Sequence, residues 1–363
     1  MGNAGTAARF LTALVCLGHG VCRLRGTARM HERPQAGLFK ALRALGYRID
    51  SPNDRLPALV HGAGARPGRC EVAVAESSQF ASALLLGAGV GGWEVEVTGA
   101  DAEEAYYVGM TRRLIAAFPR GGGEFAVEAD ASSGSYFLAA GWLLACADAG
   151  RGAANRGLPA DGTGARMNTP RVTVANWPAT DWQVDARFPA FLPLPRLVSR
   201  EHGLGDSIMT AVVVAADREG GWMWLPGPAG PGGLVPAAAG GVPVLFTELG
   251  RLRVQECERV AALRQELAKC GADVVECGDT LRVTPAVLRG ALIESHGDHR
   301  MAMSFAILGL KVPGMKIKNP ACARKTFPDF FRKLAEPPPA GLGVAILEAH
   351  TRRALACEEL AAT

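Results

Sequence analysis

The chain has 363 residues, 48% hydrophobic and 20% charged, enough apolar material for two domains with buried cores. A formal net charge of +4, spread evenly and without a basic or acidic tail, argues against a nucleic-acid surface. The nine cysteines stand singly with no CxxC pair, which argues against a zinc site or disulfide framework and for reduced thiols in a cytoplasmic protein.

In chain order, Gly2-Asn3-Ala4-Gly5-Thr6 leads into a helix carrying Phe10, Leu11 and Leu14. The apolar run from Phe10 to Leu17 is short, lacks a charged leader and ends at a glycine, so it reads as a core helix and not as a signal peptide or membrane span. Leu38, Leu42 and Leu45 share one helical face; Gly46 stops that helix and Tyr47-Arg48-Ile49 begins an extended run. Glu76-Ser77-Ser78-Gln79 opens the next helix, with Phe80, Leu84 and Leu85. Thr111 to Phe118 is helical up to the glycines at 121. Asp130-Ala131-Ser132-Ser133 opens a helix with Tyr136, Phe137 and Leu138, and residues 151–168, rich in Gly, Ala and Asn, read as a loop. Gly205-Asp206-Ser207 precedes Ile208, Met209 and Val212. The Gly/Pro series over residues 220–243 is expected to resist regular structure. Val260, Leu263 and Leu267 form another helical face stopped by Gly271, followed by a hairpin about Gly278-Asp279. Gly297-Asp298-His299-Arg300 opens a helix with Met301, Met303 and Phe305, and the segment after Pro339 reads as a peripheral helix. Helices alternating with short strands predict an α/β or α+β architecture of repeated units.

Five helices therefore begin with small polar residues. A helix N-terminus carries unpaired N–H groups and partial positive charge, so Ser and Gln donors beside it can hold a phosphate. Any one such phrase is ordinarily just a cap. Basic residues strengthen the functional reading: Arg29 and Arg33, Arg259, Arg300 in a first helical turn, and Lys325.

Taken together, seven phrases resemble the enolpyruvyl transferases of the EPSP synthase family. They are Gly-Asn-Ala-Gly-Thr at 2–6, Arg-Met-His-Glu-Arg-Pro at 29–34, Glu-Ser-Ser-Gln-Phe at 76–80, Asp-Ala-Ser-Ser at 130–133 with Ser-Tyr-Phe-Leu-Ala-Ala at 135–140, Leu-Arg-Val-Gln-Glu-Cys-Glu-Arg at 252–259, Asp-His-Arg-Met-Ala-Met at 298–303, and Cys-Ala-Arg-Lys-Thr-Phe-Pro at 322–328. They occur in family order over nearly the whole chain. The resemblance implies two inverted α/β, barrel-like domains of repeated βαβαββ units with helix N-termini aimed at a cleft. It implies transfer of the enolpyruvyl group of phosphoenolpyruvate to the 5-hydroxyl of shikimate 3-phosphate, with no metal or organic cofactor. Gly5, Arg29, Gln79, Arg259, Arg300 and Lys325 would hold phosphoenolpyruvate; Thr6, Ser77, Ser78, Gln79, Tyr107, Asp206 and Gln255 would hold shikimate 3-phosphate. Asp206, Glu256 and Lys325 would move protons, while Cys322 is expected to be a packed thiol and His299 to orient its turn. Gly5, without a side chain, implies sensitivity to glyphosate, which resembles phosphoenolpyruvate.

The same comparison shows departures. Met1 stands where the family has a Leu, and the family's opening segment with its Gly-Ser-Lys-Ser phrase is not in the sequence, so a truncated start and an incomplete first unit are expected. Gln255 stands where Lys is frequent, Arg251 where Asn is common, and Glu104 replaces a Ser. The expected organisation is a first domain at 1–125, a second at 126–340 with an insertion at 220–243, and a tail at 341–363. The expected protein is a monomer with small-molecule partners and neither nucleic-acid nor membrane contacts. The rival readings are a UDP-N-acetylglucosamine 1-carboxyvinyltransferase and a non-catalytic remnant.

Overall fold

The computed structural model describes residues 1–75, 77–99, 102–155, 172–217, 222–227, 230–236 and 242–360, with the backbone alone at 102–105, 146–155, 222–227 and 230–236. It divides into two compact units, Met1–Val127 with Thr180–Val184, and Glu128–Ala179 with Asp185–Thr363.

The first unit contains α1 (Gly5–Cys16), β1 (His19–Leu24), α2 (Ala28–Glu32), α3 (Ala36–Ala44), β2 (Arg48–Asp50), β3 (Ala58–Ala63), β4 (Gly68–Ala73), α4 (Ser78–Gly91), β5 (Trp93–Thr98) and α5 (Ala102–Ala117). β1, β3 and β2 form an antiparallel sheet, and β4 pairs in parallel with β5. Leu38, Phe39, Leu42, Val60, Val72, Phe80 and Leu84 build the core. α4 starts where the Ser77 hydroxyl accepts the Gln79 N–H, and it stops at Gly92, whose φ of 70° favours a residue without Cβ. α1 is a helix as expected, but Leu11 and Leu14, two of the apolar residues it was read from, do not form its buried face. It buries Ala8, Arg9, Thr12, Ala13 and Cys16, whereas Leu11 and Leu14 are 37% and 60% exposed. Small side chains at these helical spacings let α1 lie close to α4, so the larger leucines turn outward.

The second unit contains α6 (Ala131–Asn155), β6 (Leu197–Ser199), α7 (Ile208–Ala216), β7 (Trp222–Gly227), β8 (Gly230–Pro236), β9 (Val244–Thr247), α8 (Arg259–Lys269), β10 (Asp273–Cys277), β11 (Thr280–Thr284), β12 (Leu292–Glu294), α9 (His299–Leu308), β13 (Lys316–Lys318), α10 (Phe330–Ala335) and α11 (Cys357–Leu360). Its main sheet runs β10-β11-β9-β6, with β6 parallel to β9 and the other pairs antiparallel. The expected hairpin at Gly278-Asp279 joins β10 to β11 with Cys277 opposite Thr280. Every residue of α7 is buried, as suits a helix apolar on all sides, and α6, α8 and α9 pack against it.

Three local expectations need correction. Residues 151–155 continue α6 and are not loop, because their Ala-rich composition favours helix; 156–168 lie outside the described residues. Within 220–243, β7 and β8 form an antiparallel hairpin with Met223 opposite Val235, and the register shifts between Leu225 and Gly227, where Pro226 cannot donate to the ladder. The tail is a strap and not a helix, with only Cys357–Leu360 helical among its described residues. Pro337, Pro338 and Pro339 end α10, and the N–H groups of Leu342, Gly343 and Val344 then donate back to the carbonyls of Lys333, Glu336 and Leu334. No helix among the described residues is long and apolar enough to cross a membrane.

Candidate active site

In the first unit the start of α1 meets the start of α4. The Gln79 side-chain amide donates to the Thr6 hydroxyl at 3.1 Å and accepts from Arg9 Nη1 at 2.8 Å, so it ties the two helices together. A Cβ built on Gly5 would lie 2.5 Å from Arg9 Nη1 and 2.8 Å from Arg33 Nη2. Two guanidiniums thus sit against the first turn of α1, held by Arg9 Nη2 donating to the Pro34 carbonyl at 2.9 Å and Arg33 Nη1 to the Asn3 carbonyl at 3.0 Å. Ser77 caps α4, and Ser78 beside it is buried. Gly5, Thr6, Ser77, Ser78 and Gln79 therefore belong to one group of elements. Arg29 on α2 pairs with Glu32 at 2.9 Å, and Tyr107 is half-buried on α5 with its carbonyl accepting the Thr111 hydroxyl.

The second unit gathers a denser group. Asp298, fully buried, caps α9 by accepting the Arg300 N–H at 2.8 Å and accepts Arg259 Nε at 2.7 Å. That cap fixes the guanidinium of Arg259, which also donates to Glu256 at 2.8 Å and to Gln255. Lys325 pairs with the other oxygen of Glu256. Asp206, at the turn before α7, lies between arginines: Oδ2 is 3.0 Å from Arg300 Nη2, and Oδ1 is 3.1 Å from Arg200 Nη2 and 3.8 Å from Arg259 Nη1. Asp206, Gln255, Glu256, Arg259, Arg300 and Lys325 are all brought together. Behind them, Asp185 accepts the Ser132 hydroxyl at the start of α6 and the Ser207 N–H and hydroxyl before α7, at 3.0 and 2.6 Å for Ser207, locking two helix starts to one carboxylate.

The charges follow from this packing. Burial alone would raise the Asp206 carboxyl, but Arg300, Arg259 and Arg200 outweigh it and hold it well below the usual carboxylate range. Burial and Arg300 lower His299 to about 3, so its imidazole is neutral at pH 7. Burial raises the Cys322 thiol, as expected of a packed cysteine. Elsewhere, Glu201, His202 and Glu248 have ligand atoms within 4.8 Å of one another, but Glu248 already accepts the Ser199 hydroxyl and the Glu201 N–H.

An arrangement of arginines and a lysine around Asp206, Glu256 and Asp298 suits two multiply charged anions and proton movement. The sequence matches the family EPSP synthase (3-phosphoshikimate 1-carboxyvinyltransferase) over residues 1–120 and 233–334. The chain belongs to the EPSP synthase family. A 3-phosphoshikimate 1-carboxyvinyltransferase of Opitutus terrae is 34% identical over 364 residues, covering 92% of this chain and 76% of that protein. One from Laribacter hongkongensis is 35% identical over 370 residues, covering 92% and 78%. The fold resembles an EPSP synthase structure from Acinetobacter baumannii with a TM-score of 0.54 and 20% identity, covering 94% of this chain and 78% of that one.

Against the EPSP synthase pattern, sequence reasoning missed Arg9, Arg200 and Asp185. Arg9 carries a weaker form of the signal that singled out Arg300, an arginine near the start of an apolar helix, but in the second turn. Arg33 was singled out with the other basic residues, although the resemblance assigned it no ligand. Arg200 and Asp185 had no signal, since neither lies in a family phrase and both act through contacts formed only on folding. The side chain of Glu104, a departure from the family, lies outside the described residues.

Proposed function

We infer that this chain transfers the enolpyruvyl group of phosphoenolpyruvate to the 5-hydroxyl of shikimate 3-phosphate and releases phosphate. Membership of the EPSP synthase family supports the reaction. The single structural observation behind the residue roles is the group in which Asp206 and Glu256 are each held by cations, with Arg259 in contact with both.

In this reading Arg259, Arg300 and Lys325 bind the phosphate and carboxylate of phosphoenolpyruvate, joined by Gly5, Arg29 and Gln79. Thr6, Ser77, Ser78, Gln79, Tyr107, Asp206 and Gln255 bind shikimate 3-phosphate. Asp206 accepts the proton of the 5-hydroxyl as its oxygen bonds to C2 of phosphoenolpyruvate, while Glu256, coupled to Lys325, delivers a proton to the methylene carbon. The product of this addition is a tetrahedral intermediate still bearing phosphate. Glu256 takes a proton back from the new methyl group, which re-forms the double bond as the C–O bond to phosphate breaks, and the proton held by Asp206 leaves with the phosphate. Arginine and lysine charges stabilise the departing phosphate. Without ligand, Asp206 is too well paired to be a strong base. Its basicity rises once Arg300 turns to the substrate.

Phosphate release is the direct assay, with both substrates present and UDP-N-acetylglucosamine offered as a rival acceptor. Turnover with shikimate 3-phosphate and none with the nucleotide sugar is expected. Binding of shikimate 3-phosphate by calorimetry without any phosphate release would favour a non-catalytic remnant instead.

A further inference from the structure

Arg200 is an arginine that neither the family phrases nor the reaction scheme uses. It follows the last residue of β6, and its N–H donates to the Thr247 carbonyl, continuing the parallel pairing of β6 with β9. The N–H groups of Gly203 and Leu204 donate to the Ser199 carbonyl, folding the chain into a tight turn before α7. Arg200 and Asp206 lie on that turn, six residues apart, with the guanidinium 3.1 Å from Oδ1. Arg259 and Arg300, the other two cations on Asp206, come from α8 and α9. Exposure separates Arg200 from Arg300: their side chains are 2% and 13% exposed, with Asp206 at 21%, while Arg259 is as buried as Arg200 and stands farther from Oδ1, at 3.8 Å. A ligand can reach Asp206 and Arg300 without reaching Arg200.

We propose that Arg200 is a positioning residue for Asp206, holding Oδ1 through the reaction while Arg300 exchanges its contact with Oδ2 for the anionic groups of phosphoenolpyruvate. This rests on the reading of Asp206 as the base. If all three arginines left with the substrate, the half-buried carboxylate would lose its charge partners and its orientation together. If all three stayed, the carboxylate would remain too weak a base to accept a hydroxyl proton. One partner built into the same turn keeps the aim and leaves the basicity adjustable. Among the described residues, the groups around Asp206 include Arg259 on α8 with Glu256 before it, Arg300 on α9 with its cap Asp298, Tyr136 on α6 with Asp130 before it, and Asp185 behind Ser207. Lys325 reaches the set through Glu256.

The test uses the full chain and the variants Arg200→Met, Arg200→Lys and Asp206→Asn, with folding checked by circular dichroism. Arg200→Met removes a cation from the base, so Asp206 protonates at higher pH and the acid limb of kcat moves up by on the order of one pH unit. The maximal kcat falls by up to about a hundredfold through misorientation, with KM for phosphoenolpyruvate changed by less than about twofold. Arg200→Lys recovers part of both effects. Adding Arg200→Met to Asp206→Asn lowers kcat no further, since the positioned group is already gone. An unmoved acid limb, an additive double variant, or loss of folding in both Arg200 variants overturns the proposal. An Asp206→Asn variant with undiminished kcat overturns the assignment of the base instead.

Discussion

Single residues decide what the charged groups can do. Asp206→Asn keeps the size of the side chain but removes its proton acceptor, so kcat is expected to fall by about a hundredfold or more while shikimate 3-phosphate still binds, as phosphate release and calorimetry would show. Gly5→Ala places a methyl where two guanidinium ends now lie, at 2.5 and 2.8 Å. These ends are flexible, so the expected result is displaced cations and a raised KM for phosphoenolpyruvate, not unfolding; an unchanged KM would mean that Arg9 and Arg33 take no part in binding. His299 makes a pH prediction. The folded imidazole stays neutral down to about pH 3, whereas the unfolded one protonates near 6.5. Between those values the unfolded chain binds the extra proton, so stability falls as pH falls, by at most about 1.4 kcal/mol per pH unit. Urea titrations between pH 6.5 and 4 would show this slope, and His299→Gln would flatten it.

At the scale of elements, buried carboxylates fix helix starts. Asp298 both caps α9 and anchors Arg259, which is 1% exposed. Asp298→Ala leaves that guanidinium without its main partner and is expected to cost about 3–5 kcal/mol in denaturant unfolding. A loss under about 1 kcal/mol would show that Glu256 and Gln255 suffice to hold Arg259. Much of this level was legible in advance. The Asp298 phrase announced a cap before an apolar run, the Gly278-Asp279 pair announced a hairpin, and Ser77 announced the start of α4. Which face of α1 is buried was not legible. Its leucines marked one face by hydrophobicity, but packing selected the small residues that permit close approach to α4. The hairpin of β7 and β8 was hidden for a related reason, because prolines count against strands on average yet fit at a bulge or an edge.

For the whole molecule, the two units have separate cores, and each carries part of the charged machinery. A ligand that binds only the folded protein must stabilise it. Shikimate 3-phosphate at about a hundred times its Kd is expected to add about 2.7 kcal/mol, visible as a raised Tm. A Tm indifferent to that ligand would count against the site. The sequence by itself determined the alternation of helices and strands, the capped helix starts, and the ordered phrases that carry family membership, because caps, turns and periodicity are local properties of the chain. Only the tertiary structure decided that Asp206 is gripped by three arginines, that Arg200 is one of them, and that Asp185 ties two helix starts together. Those contacts join residues whose nearness exists only after folding, and burial there sets which charges pair and which remain within a ligand's reach.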